Sequence, residues 1–152
     1  MTDDLSELYQ TIILEHHKHP RNAHVMEHPT HEAEGHNPLC GDEIKVYVRL
    51  KDGRVQDVSF KGQGCAISQA SASLMTEAIK GKTLEELHSI EKQALSFLGA
   101  GEETSAPDLA QVGDLAALSG VRHFPARVKC ATLSWHTLDA ALEGHKSVST
   151  ES

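Results

Sequence analysis

Residues 43–60 carry the feature that most restricts the fold. Ile44, Val46, Val48 and Leu50 alternate with Lys45, Tyr47 and Arg49, and Asp52-Gly53 follows directly. Period-two alternation puts the apolar side chains on one face of a strand. An Asp-Gly pair supplies the positive-φ residues of a two-residue hairpin turn. A second run follows, with Val55, Asp57 and Ser59 expected on one face and Gln56, Val58 and Phe60 on the other. Lys61-Gly62-Gln63-Gly64 breaks it. Such a hairpin is half-buried and antiparallel, so its apolar face needs a cover.

Helical patterns on both sides of the hairpin supply that cover. Residues 4–18 place Leu5, Leu8, Tyr9, Ile12 and Ile13 at three- and four-residue steps before Pro20. Residues 67–80 present Ile67, Ala70, Leu74, Ala78 and Met75 inward, with Gly81 as the stop. Thr83 and Glu86 fit a capping box for a helix over about 84–98, with Leu84, Leu87, Ile90, Leu95 and Leu98 as its stripe. A short helix is expected over 109–119. A last one is expected over 129–143, with Leu133, Leu138, Ala141 and Leu142 inward. The His- and Pro-rich stretch 20–37 reads as loop, with room for one short strand. The 152 residues suit one domain, 1–152. Residues 99–108 read as a flexible, acidic excursion within the stretch of about 99–118, and residues 145–152 as a frayed, flexible tail. The expectation is α+β: a small antiparallel sheet with helices packed on one face.

Charge and hydropathy narrow the function classes. Fourteen Lys and Arg against 22 Asp and Glu leave a net charge of −8, which argues against a nucleic-acid surface. No apolar run approaches the roughly 18 residues that span a bilayer. The N-terminus MTDDLSELYQ lacks the basic and apolar regions of a signal peptide. These features predict a cytoplasmic protein with neither nucleic acid nor membrane as partner.

Three cysteines stand at the expected ends of elements. Cys40 lies in the turn before the first strand, Cys65 just before the second helix, and Cys130 at the expected start of the last helix. An odd number argues against a secreted disulfide framework, and no Cys-x-x-Cys knuckle is present. A helix N-terminus favours a thiolate, and Arg127 and Lys129 beside Cys130 act in the same direction. Asp42, two residues from Cys40, points to the same side of an extended segment. Three thiolates and a carboxylate suit tetrahedral Zn²⁺ or an iron site, although any one cysteine taken alone reads first as a packing residue. His16, His17, His19, His24, His28, His31 and His36 crowd one region without regular ligand spacing and read as solvated residues, as do His123, His136 and His145. Lys-Gly-Gln-Gly-Cys is no phosphate loop; its glycines let the chain turn and carry Cys65 to the site. Ser68, Ser71 and Ser73 read as small residues that permit close helix packing.

The segments NPLCGDEI, FKGQGCAISQASASLMTEAIKGK and FPARVKCATLSW, with LYQTIILEHHKHPRN, resemble the iron–sulfur assembly proteins of the IscU/NifU N-terminal superfamily. The likeness covers about residues 5–143. It is nearest to the SufU type, because the interval between Cys65 and Cys130 holds an insertion, LGAGEETSAPDLAQVGDLAAL, and Lys129 stands where IscU-type proteins have a histidine. FPARVK also replaces their chaperone-recognition segment Leu-Pro-Pro-Val-Lys, which argues against chaperone handling.

The resemblance implies a SufE/IscU-like fold and one Zn²⁺ held by Cys40, Asp42, Cys65 and Cys130. It implies a sulfurtransferase-like role: Cys40 takes persulfide sulfur from a SufS-type cysteine desulfurase, whose histidine replaces Cys40 on the zinc, and Arg127 supports the transfer. Asp42, a weaker ligand than thiolate for this metal, keeps the site labile. The sulfur then passes to downstream iron–sulfur assembly or apo-proteins. The alternative is a scaffold on which the same ligands hold iron or an iron–sulfur cluster. A third reading, a closed structural zinc domain, is separated from both by solvent access to Cys40.

Overall fold

The computed structural model describes residues 2–38, 41–99 and 113–149. In chain order these form helix α1 (Thr2–Lys18), strands β1 (His31–Asn37), β2 (Asp42–Lys51) and β3 (Arg54–Gln63), helices α2 (Ala66–Ile79) and α3 (Leu84–Phe97), a 3₁₀ segment (Gly113–His123), helix α4 (Pro125–Leu142) and strand β4 (Ser147–Ser149). The sheet order is β3-β2-β1-β4. β2 runs antiparallel to both neighbours and β4 parallel to β1, so the α+β architecture is as expected but the sheet is mixed.

The hairpin turns on Asp52 (φ 54°) and Gly53 (φ 74°), both left-handed as a type I′ turn requires. Arg49 pairs with Asp57 and Leu50 with Val55, which leaves Gln56 as the extra residue of a bulge. That extra residue inverts the alternation. Val55, Val58 and Phe60 therefore all enter the core, and the expected grouping of Val55 with Asp57 and Ser59 fails for this reason. The strand also continues through Lys61 and Gly62 to Gln63, beyond the expected break.

β1 occupies the end of the 20–37 stretch, which reads as loop with room for one short strand. Its inward positions are Ala33, Gly35 and Asn37, and its outward ones are Glu32, Glu34 and His36. Two small residues and an amide leave almost no hydrophobic signal. Gly35 is small because α4 crosses close above: a Cβ there would lie 3.1 Å from Leu133 Cδ1 and 3.2 Å from Thr137 Cβ. The tail is likewise not frayed over 147–149, where it adds β4 to the free edge of β1.

α4 packs across β1 and β2, α2 lies between α4 and β3, and α1, α3 and the 3₁₀ segment close the outside. Ser71 of α2, fully buried, donates its hydroxyl hydrogen to the carbonyl of Ala131 in α4. The serine run thus permits close packing and also bonds the two helices. Gly81 (φ 81°) follows the end of α2, and Thr83 and Glu86 form the capping box of α3. α4 begins at Pro125, four residues before the expected start; proline suits a first helical position because its missing N–H has no partner to lose. Its buried residues include an unbroken run from Cys130 to Trp135, so it lacks the polar face by which a helix start is read. Of the expected helix over 109–119, residues 109–112 lie outside the described residues and the rest belong to the 3₁₀ segment. Of the insertion, only residues 99 and 113–118 are described.

Candidate metal centre

Asp42 is the first residue of β2, Cys65 precedes α2, and Cys130 lies in the second turn of α4. The fold brings the three together: one carboxylate oxygen and the two sulfurs all lie within 4.8 Å of one another. Asp42 and Cys130 are buried and Cys65 is half-buried. Among the described residues this is the one such grouping of His, Cys, Asp and Glu.

The connection from β3 to α2 passes directly over Asp42. Gly64 allows this, since a Cβ there would stand 2.9 Å from Cγ and 3.1 Å from Cβ of Asp42. The next residue then donates its backbone N–H to Asp42 Oδ1 at 2.8 Å, and Cys65 Sγ lies 3.8 Å from Oδ2. Cys65 is also the N-cap of α2, its sulfur accepting from Ser68 N–H at 3.4 Å. The thiol of Cys65 is held down to about 6. The chief cause is the hydrogen bond from Cys130; the N–H groups of Ser68 and Ile67 add to it, against burial and the Asp42 carboxylate.

Cys130 differs from its expected position. With α4 starting at Pro125 it is the sixth helical residue, past the free N–H groups of the first turn, and the macrodipole argument holds for Cys65 alone. Its sulfur lies 3.7 Å from the Ala126 carbonyl oxygen, to which the thiol can donate. Arg127 is exposed in the first turn of α4, its guanidinium 5.1 Å above the ring of Phe124. Cys40 lies outside the described residues. The chain around it is anchored on both sides: Asn37 and Asp42 are register partners in β1 and β2, and residues 38–41 join them.

The donor set fits zinc. Metal–sulfur bonds of about 2.3 Å and metal–oxygen bonds of about 2.1 Å imply tetrahedral edges of about 3.8 Å between sulfurs and about 3.6 Å between sulfur and oxygen. The observed 3.8 Å between Cys65 Sγ and Asp42 Oδ2 meets that requirement.

One residue at the site carried no sequence signal. Asn37, 1% exposed, holds its amide nitrogen 3.5 Å from Asp42 Oδ2 and 3.5 Å from Cys130 Sγ. It opens the segment NPLCGDEI, but nothing there marks it as part of the site, because its inward direction depends on the register of β1. Among the histidines, His16 is corrected: it is buried, with Nδ1 2.7 Å from Ser73 Oγ, in contact between α1 and α2. His17, His19, His24 and His28 are exposed and His31, His36 and His136 half-buried, and none joins a metal grouping.

The family model described as the NifU-like N-terminal domain matches residues 8–146. The chain is 44% identical over 136 residues to the zinc-dependent sulfurtransferase SufU of Bacillus subtilis, covering 90% of each. It is 39% identical to the iron–sulfur cluster assembly scaffold protein IscU of Thermotoga maritima, over 90% of this chain and 93% of that one. A crystal structure described as a putative iron–sulfur cluster assembly scaffold protein for the SUF system, from Fervidobacterium islandicum, superimposes with a TM-score of 0.80. It is 35% identical and covers 90% of this chain and 97% of that one.

Proposed function

The chain belongs to the family of NifU-like N-terminal domains, and from that premise we propose that it acts in iron–sulfur cluster assembly as a zinc-dependent sulfur acceptor, supplied by a SufS-type cysteine desulfurase. The observation that carries this reading is the gathering of Asp42, Cys65 and Cys130, with Cys40 two residues along the chain from Asp42. Two residues of chain place the Cys40 Cα within about 7 Å of that of Asp42. Cys40, Asp42, Cys65 and Cys130 are the proposed zinc ligands. Bound zinc keeps its thiolates deprotonated at neutral pH while restraining their nucleophilicity.

The chain's residues then divide the work. Asp42, held by the Cys65 N–H, is the hard ligand of a soft set and keeps the site exchangeable. Cys65 and Cys130 are the fixed thiolates, one at a helix cap and one within a buried helix. Cys40 is the acceptor: its thiolate attacks the terminal sulfur of the desulfurase persulfide, a new sulfur–sulfur bond forms, and the old one breaks with its electron pair leaving on the desulfurase cysteine. The terminal sulfur, now on Cys40, passes to downstream assembly. Arg127, exposed three residues before Cys130 on α4, is the cation assigned to support the transfer. The scaffold role is the second reading, favoured by the relative of that name in Thermotoga maritima. FPARVK in place of the chaperone segment weighs toward sulfur transfer. No helix among the described residues is long and apolar enough to cross a membrane.

The test begins with metal and sulfide content of untagged protein, followed by a desulfurase assay. About one zinc per chain, no sulfide and faster cysteine turnover support the acceptor reading. Iron and sulfide in near-equal amounts without stimulation support the scaffold. Cys40→Ala is expected to abolish sulfur acceptance and remain folded, and full transfer by that variant would remove Cys40 from its role.

A further inference from the structure

We infer that Asn37 is a positioning residue of the metal site, whose amide orients the Asp42 carboxylate and the Cys130 thiolate together. The inference rests on the reading that these side chains hold zinc.

Asn37 ends β1 and faces inward opposite Asp42, its register partner on β2. Its Nδ2 carries two hydrogens, and two acceptors stand within reach: Asp42 Oδ2 at 3.5 Å and Cys130 Sγ at 3.5 Å. These acceptors come from β2 and α4, so one amide ties together ligands from different layers of the fold. The amide orientation is decided by chemistry. Exchanging oxygen and nitrogen would set a carbonyl oxygen against a carboxylate and a sulfur.

Stability does not account for an asparagine here. The side chain is 1% exposed, and its Oδ1 is buried with no hydrogen-bond partner among the described residues. A buried amide with an orphaned oxygen is less favourable than an apolar side chain of the same shape. The ligands do account for it. Three thiolates and one carboxylate around a divalent ion leave net negative charge, and the nearby cation Arg127 is exposed on Phe124 rather than turned inward. A neutral amide donating to two of the ligands offsets part of that charge and holds both in one orientation, as outer partners of metal ligands do.

The distinguishing test pairs two measurements on Asn37→Leu, which keeps the branched heavy-atom outline and removes both donors. Zinc affinity by chelator competition is expected to fall about 10- to 100-fold. The melting temperature of the zinc-free protein is expected to stay level or rise. The thiolate-to-metal absorption band of the Co²⁺-loaded variant is expected to shift. Asn37→Asp, of the same shape, turns a donor into an acceptor and is expected to bind zinc more weakly still. Wild-type zinc affinity and an unchanged cobalt spectrum in Asn37→Leu would overturn the inference. So would unfolding of both zinc-free variants, which would make the role structural. Failure of the wild-type protein to bind zinc would instead refute the reading beneath it.

Discussion

Replacing Gly64 with alanine measures how tightly the chain is drawn over Asp42. The new Cβ would stand 2.9 Å from Asp42 Cγ, and closer still to Oδ1. Ordinary van der Waals contact begins near 3.4 Å, so the carboxylate must retreat by on the order of 1 Å. That retreat breaks the 2.8 Å hydrogen bond from Cys65 N–H to Oδ1. A hydrogen bond to a charged group contributes about 1.5–3 kcal/mol. Alanine offsets about 0.4–1 kcal/mol of this by restricting the unfolded chain, and Gly64 is not among the positive-φ residues, so no backbone strain adds to the cost. The net loss is about 1–2 kcal/mol, or about 2–8 °C in the melting temperature of a domain this size. Zinc affinity is expected to fall with it by about 10-fold or more, since a ligand has left its position. Thermal melts of the zinc-free protein and chelator competition of the loaded one read the two effects separately. A variant that melts within about 1 °C of wild type and keeps its zinc affinity would refute the claim that the close approach at Gly64 holds Asp42 in place.

Ser71→Leu is expected to cost more than about 3 kcal/mol, by losing the hydroxyl bond to Ala131 and forcing α2 from α4, and to weaken zinc because those helices carry Cys65 and Cys130; urea unfolding and zinc competition check it. Burial, then the charge of Arg21, holds His16 below 6.5 against Glu77, Asp114 and Glu15, so the unfolded chain gains a proton that the folded chain refuses and stability falls as the pH drops below 6.5. His16→Gln is expected to flatten that loss, seen as a smaller change in urea midpoint between about pH 7 and pH 5.5. Burial, then the hydrogen bond with Asp139 and the charges of Asp139 and Glu143, pushes Glu91 up to about 9. Its contribution is complete below about 4.5 and is lost as the pH rises through about 9, so Glu91→Gln is expected to gain on wild type with rising pH, by on the order of 1–3 kcal/mol at pH 8 in urea unfolding.

Much of the fold was legible where local rules decide it. The β2–β3 hairpin follows from alternation and Asp52-Gly53, and α3 from its capping box, because both depend on neighbours in the chain. Other features were not legible. β1, for which 20–37 left room without locating it, hides behind the small Ala33 and Gly35, over which α4 passes, and the polar Asn37. The bulge at Gln56 reverses a strand face through pairing alone. The early start of α4 is masked because the helix is buried on most of its surface.

The site divides along the same line. The sequence by itself determined the ligand types and their placing at or near the ends of elements, together with a likeness specific enough to name the family. Only the tertiary structure decided that Asp42, Cys65 and Cys130 converge, that Gly64 makes room for the carboxylate, and that Asn37 turns inward between two of them. The physical reason is separation along the chain. Asn37 and Cys130 meet across 93 positions, and such a contact is set by strand register and helix packing, which no local pattern records.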